Sequence, residues 1–235
     1  HVSHVSQVSR VHLGNSIAIA DNSENRRDFI FRLMLSSNDT SVFYLRIKSR
    51  HPVLIPLFIK NEAQLNDTIS SENLIFGLYF GIILSLFLYN IFLFISTRDL
   101  SYLFYVIYLL SLGLAQIAVS GYGFKYFWPQ YPFINRYVLI VTSALTGITG
   151  ILFALFFLRV GYYFKRVVYI LYLVILMYFI SIISCISGNN SFSYDILNYA
   201  ALIGGLILII IPYMVARKGY KTANYYLVAW IFFLS

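Results

Sequence analysis

Acidic residues almost vanish from this chain after Glu72, since residues 73–235 hold only Asp99 and Asp195. Five stretches there, 73–97, 101–121, 137–158, 167–187 and 196–216, carry no charged side chain at all, and 222–235 reads as the first part of a sixth. Helices of soluble bundles need a polar face opposite their core stripe, so that absence excludes a soluble bundle. The missing Asp, Glu, Lys, Arg and His inside these stretches also disfavour a pump or an ion-coupled transporter, which depend on ionisable groups within the membrane. With a single cysteine, Cys185, there is no intrachain disulfide. No P-loop, GxSxG, HExxH or paired carboxylates occur, so the chain carries no catalytic motif, calls for no cofactor and reads as a non-enzyme.

What the chain has in abundance is apolar surface. Hydrophobic residues make up 60% and aromatics 19%, while charged residues make up only 11%, against about 25% in ordinary soluble domains. A hydrocarbon core about 30 Å thick takes roughly 20 apolar residues as a helix, and each of the five charge-free stretches is long enough. Within residues 73–97, Ile82, Ile83, Leu86, Phe87, Leu88, Ile91, Phe92 and Leu93 each favour insertion by about 0.3–0.6 kcal/mol at the bilayer centre. That sum outweighs Ser85 and Asn90. Membrane lipids are therefore obligatory partners. The chain starts at His1 and stops inside the apolar run 230–235, so it is read as part of a longer protein.

Residues 1–72 are different, with eight Lys/Arg and seven Asp/Glu. Phe43, Leu45 and Ile47 alternate with Tyr44, Arg46 and Lys48, the period of a half-buried strand. Residues 29–35 alternate more weakly, and the Ser-Asn-Asp-Thr cluster at 36–40 predicts a turn joining the two as a hairpin. Val53, Ile55, Leu57 and Ile59 suggest a third strand, placed at an edge or made irregular by Pro52 and Pro56. Residues 1–62 thus read as the C-terminal part of an all-β domain, residues 63–72 as a polar tether, and residues 73–235 as an all-α membrane bundle. His1 and His4, in a terminus without a partnering carboxylate, make a poor metal site.

The net charge of +8 belongs to short loops between spans, which argues against nucleic acid as a partner. Loops after odd-numbered spans carry Arg98, Arg159, Lys165, Arg166, Arg217, Lys218 and Lys221; loops after even-numbered spans carry only Lys125 and Arg136. Lys/Arg excess marks the cytoplasmic side. The β domain then lies outside, as expected of a multi-pass protein of a cell inner membrane. In the outer loop 121–136, Tyr122, Phe124, Tyr126, Phe127, Trp128, Tyr131 and Phe133 form either an interfacial anchor or a platform on which the outer domain docks. Gly77 and Gly81 form a GxxxG pair; Ala144, Gly147 and Gly150 add small residues to the third span, and Gly204 and Gly205 to the fifth. These serve packing within the bundle or a homodimer contact. Pro212 is expected to bend the fifth span.

Several of these residues also form a recognisable pattern. Tyr79-Phe80-Gly81, then Leu88-Tyr89-Asn90-Ile91-Phe92-Leu93, then Arg98-Asp99-Leu100-Ser101-Tyr102-Leu103-Phe104-Tyr105 resemble the bacterial seven-transmembrane receptors with diverse intracellular signalling modules. Gly121 followed by Phe127-Trp128-Pro129, and Phe156-Phe157-Leu158, are similar to the same family. The β segment around Tyr44-Leu45-Arg46 is similar to the end of the family's extracellular domain. The resemblance implies a jelly-roll-like outer sensor, seven helices of which six are visible here, and a cytoplasmic output such as a histidine kinase, diguanylate cyclase or phosphatase. It implies an extracytoplasmic ligand that is a small molecule or carbohydrate-like. The coupling residues it singles out are Tyr79, Gly81, Tyr89, Asn90, Arg98, Asp99, Tyr102, Tyr105, Gly121, Trp128 and Pro129. The expected function is a transmembrane receptor relaying a signal to an output module beyond this chain. A transporter or channel, or a membrane-tethered binding protein, are the alternatives.

Overall fold

Asn61 starts the first helix. Its side-chain oxygen accepts the backbone N–H of Gln64 at 2.8 Å, and the Gln64 side chain accepts the Asn61 N–H at 3.3 Å, a reciprocal capping box. Lys60 Nζ adds a bond to Thr68 Oγ1 at 2.9 Å across the first two turns. The helix so begun, α1, runs unbroken over Glu62–Thr97, 36 residues. The stretch 63–72 read as a tether is therefore helical, because the Asn61 cap and the good helix formers Glu62, Ala63, Gln64 and Leu65 extend the span outward. At 1.5 Å per residue α1 is about 54 Å long, well beyond a hydrocarbon core of about 30 Å.

The computed structural model describes residues 57–131 and 133–219, with Ala223, Tyr225, Tyr226 and Val228. The hairpin expected at 29–48, the family-like strand at Tyr44-Leu45-Arg46 and all four histidines lie outside them. Of the third expected strand only its end is described, where Leu57 and Ile59 take part in no strand. Among the described residues there is none.

After α1 come α2 (Leu100–Val119), α3 (Ile134–Phe157), the four-residue α4 (Val160–Tyr163), α5 (Lys165–Ile186) and α6 (Asn190–Arg217). A π-helical turn over Gly123–Phe127 fills the corner between α2 and α3. Five of these helices are long and apolar enough to cross a membrane. Of the sixth expected span, Ala223, Tyr225, Tyr226 and Val228 are helical and the rest lies outside the described residues.

Local chemistry fixes several boundaries. Asp99 caps α2 through Ser101 N–H at 2.8 Å. Gly121 leaves α2 with φ 77, a left-handed conformation that glycine adopts without penalty. Asn189 accepts the Phe192 N–H and starts α6 ahead of the expected residue 196. Helix α6 continues through Pro212.

Successive helices pack antiparallel, α1 on α2, α2 on α3 and α5 on α6, and α3 also touches α5 and α6. Helix α3 is the centre: 39% of its apolar stretch is buried inside the chain, against 6% for α1. Ala144, Ile148, Ile151, Ala154, Leu158, Leu171, Val174, Ala200 and Ile211 form the core. The exposed rings and aliphatic side chains of α1, α5 and α6 face where lipid belongs.

Candidate functional site

At the outer end of the bundle, α1 is tied to the α2–α3 corner by Tyr122. Its hydroxyl donates to Asn73 Oδ1 at 2.5 Å, and its ring lies edge-on to Phe76 with centroids 5.1 Å apart. Tyr126 stacks on the other side of Tyr122 at 6.1 Å, and Lys125 Nζ sits 4.8 Å above the Tyr126 ring. Trp128 folds back over the π turn. Its backbone N–H donates to Gly123 O at 3.2 Å, and its indole so covers Gly123 that an added Cβ would collide with Cζ2 and Cη2. Trp128 is thus half-buried as part of the corner, with Pro129 half-buried behind it, while Phe127, Tyr131 and Phe133 are the exposed rings.

The midsection uses glycine as a seat. Tyr178 of α5 lies against Gly147 of α3, where a Cβ would collide with Cζ of the ring; Tyr108 of α2 lies over Gly150, with Cε2 3.3 Å from where a Cβ would stand. The small residues of the third span therefore pack within the bundle. Gly113 is where α2 meets Ile83 of α1, at 3.9 Å. Gly77 and Gly81 differ: nothing among the described residues lies within 4 Å of where a Cβ would stand at either. Asn90 is the one described residue that α1 buries, and its amide donates to Leu86 O at 2.7 Å. Tyr79 is half-buried with its ring 5.4 Å from Phe80, whereas Tyr89 is exposed.

The inner end carries two left-handed arginines, Arg98 (φ 56) and Arg159 (φ 47). Arg98 closes α1 through its N–H to Phe94 O at 2.8 Å. Asp99 works as a helix cap, and its own N–H reaches Thr97 Oγ1 at 3.4 Å. Tyr102 lines a cavity beside it. Tyr105 lies 4.9 Å from Phe153, Phe104 stacks on Phe156 at 4.5 Å, and Phe153 and Phe157 continue to Tyr226. The coupling residues singled out in the sequence thus do not converge on one site: Gly121, Trp128 and Pro129 sit at the outer end, Tyr79 and Gly81 on α1 nearer that end, Tyr89 and Asn90 further along α1, and Arg98, Asp99, Tyr102 and Tyr105 at the inner end.

Among the described residues no acidic, histidine or cysteine cluster is able to hold a metal. The sequence matches one family. The profile described as 7TM diverse intracellular signalling covers residues 72–235, and that described as 7TMR-DISM extracellular 2 covers residues 1–61. The chain belongs to the 7TMR-DISM family. No curated protein and no solved structure matches it. Membership makes it a multi-pass membrane protein of the transmembrane sensor and signalling type, with an extracellular N-terminal part. In this 7TMR-DISM chain α1 accordingly runs inward, which puts the Tyr122 corner outside and Arg98, Asp99 and Arg159 inside.

Sequence reading missed the buried serine clamp. Ser181 Oγ donates to Ser193 O at 2.8 Å and Ser193 Oγ to Ser181 O at 2.7 Å, joining α5 and α6 across their outer turn. The signal was there, since the two serines stand equally far from Ser187 in the turn. It also missed Gly123 and Tyr178, whose importance depends on packing that no spacing rule reveals.

Proposed function

We propose that this chain is the sensing and relay portion of a receptor of the bacterial inner membrane, which takes up a small or carbohydrate-like ligand on the outer side and drives a cytoplasmic output module. The observation that carries the reading is α1. A continuous helix from Glu62 to Thr97 reaches from above the outer surface to the inner turn, so a displacement of its outer end is carried across the membrane with little loss. A loose tether would dissipate it.

The work done within these residues is conformational and not catalytic. The solid apolar core around Ala144, Ile151, Leu171 and Val174, with buried Thr142, Thr149, Ser181 and Ser193 all hydrogen-bonded to backbone, supports a relay over a transporter or channel.

The experiment places spin labels at Thr97→Cys and Lys165→Cys in a Cys185→Ser background of the full-length protein in nanodiscs, and titrates a panel of mono- and disaccharides. A sugar that raises the unfolding temperature should also change the distance between the inner ends of α1 and α5. Stabilisation by a sugar with no change in that distance would leave the helices as a tether.

A further inference from the structure

The inner ends of α2 and α3 flank an open cavity of about 630 Å³ that the relay does not require. Its walls are the first turn of α2, with Asp99 and Tyr102, the last turn of α3, with Phe156, and the turn holding Arg159, Gly161 and Tyr162. Opposite charges line it without meeting. Asp99 spends one carboxylate oxygen on Ser101 N–H, and no described residue takes the other. The Arg159 guanidinium is exposed and likewise has no hydrogen-bond or ion-pair partner among the described residues. Its backbone is held at φ 47, ψ 42, a conformation that costs a non-glycine residue energy and persists where the surroundings impose it.

We propose that this cavity binds the headgroup of an aminophospholipid, its ammonium on Asp99 and its phosphate on Arg159. The separated acid and base suit a dipolar ligand that bridges them. The cavity also lies where two helices long and apolar enough to span a membrane end on the inner side, and Phe156, stacked on Phe104 and 41% exposed, offers an acyl chain an apolar wall. An ammonium offers three N–H donors to a carboxylate. The trimethylammonium of a choline lipid offers none, and an anionic glycerol headgroup leaves Asp99 without a cation.

The test uses the full chain in nanodiscs of phosphatidylethanolamine and phosphatidylcholine in equal amounts, with native mass spectrometry counting the lipids retained. The wild type should retain the ethanolamine lipid about fivefold over the choline lipid, the preference expected of one charge-assisted hydrogen bond at a partly wet site. Asp99→Asn keeps the helix cap, since Asn caps as well as Asp, and should abolish the preference; Arg159→Gln should lower retention of both lipids. Equal retention by the wild type, or a preference that survives Asp99→Asn, overturns the assignment. So does preferential retention of phosphatidylglycerol when that lipid is added. Displacement of the lipid by soluble phosphoethanolamine at matched concentration would instead assign the cavity to a free zwitterion and also overturn it.

Discussion

Replacing Gly147 with alanine adds one carbon where the Tyr178 ring already lies, its Cε2 2.7 Å away and Cζ nearer still. Tyr178 is only 5% exposed, with Gly204 and Val174 beside it, so the ring has no free space to swing into. Either the ring leaves its rotamer or α3 and α5 move apart. Overpacking of this kind costs about 1–3 kcal/mol. Helix association in a membrane rests on close packing rather than on a hydrophobic drive, so separating the two helices forfeits the contacts that hold them. At roughly 2–4 °C per kcal/mol for a chain of this size, the unfolding midpoint should fall by several degrees.

The protein supplies its own reporter: Cys185, its single cysteine, is fully buried on α5 and reacts with a coumarin maleimide only on unfolding. Midpoints are compared in one detergent at one heating rate. Adding Tyr178→Leu to Gly147→Ala should recover part of the loss, because contacting sites couple by about 0.5–3 kcal/mol. A Gly147→Ala midpoint equal to or above the wild type would refute the seating of Tyr178 on Gly147.

Four further outcomes are expected. Ser181→Ala removes the hydroxyl that donates to Ser193 O, while Ser193 Oγ keeps its bond to the carbonyl of residue 181, and should destabilise by about 0.6–1.7 kcal/mol, read as a lower midpoint and as faster amide exchange in the first turn of α6. Asp99→Ala should cost about 1 kcal/mol of helix capping while Asp99→Asn costs almost none, so equal losses would deny the cap its role. Gly123→Ala should push the indole off the π turn, shifting Trp128 emission in a Trp230→Phe background; an unchanged spectrum would contradict the packing. Gly81→Ala meets nothing described within 4 Å and should raise stability by up to about 1 kcal/mol, unless a second copy of the chain covers that face, in which case cross-linking of the copies falls with it.

The membrane bundle was legible because hydrocarbon leaves few options: charge-free runs of sufficient length must be helices. Orientation was legible too, through Arg98, Arg159 and Lys165 against the sparse outer cations. Legibility failed where the outcome depended on a cap or a tertiary contact. Residues 63–72 are polar and resemble a linker, yet Asn61 and Gln64 lock them into α1. Trp128 was singled out by the family pattern, but its position depends on Gly123 having no side chain. Arg98 counted in the sequence as a loop cation, whereas it ends α1 through its backbone and Asp99 begins α2 through its side chain. The tyrosine seats on Gly147 and Gly150 join residues far apart in sequence, so small-residue spacing suggested packing without naming what would fill it.

A relay through this bundle is constrained by the order of its contacts. Helix α1 meets α2 and the corner after it at three levels, through Tyr122 of the corner on Asn73 and Phe76, through Gly113 at Ile83, and through the short turn at Arg98 and Asp99. With α1 buried so little elsewhere, its rotation or translation is felt first by α2. Helix α2 is in turn bound to α3 by the Phe104–Phe156 and Tyr105–Phe153 pairs at the inner end, and packed rings of this kind move together or repack rather than deform gradually. In the proposed receptor a pull on α1 therefore arrives at the inner ends of α2 and α3, beside Asp99 and Arg159. Helices α5 and α6, clamped to each other by Ser181 and Ser193, are the frame against which that movement is made.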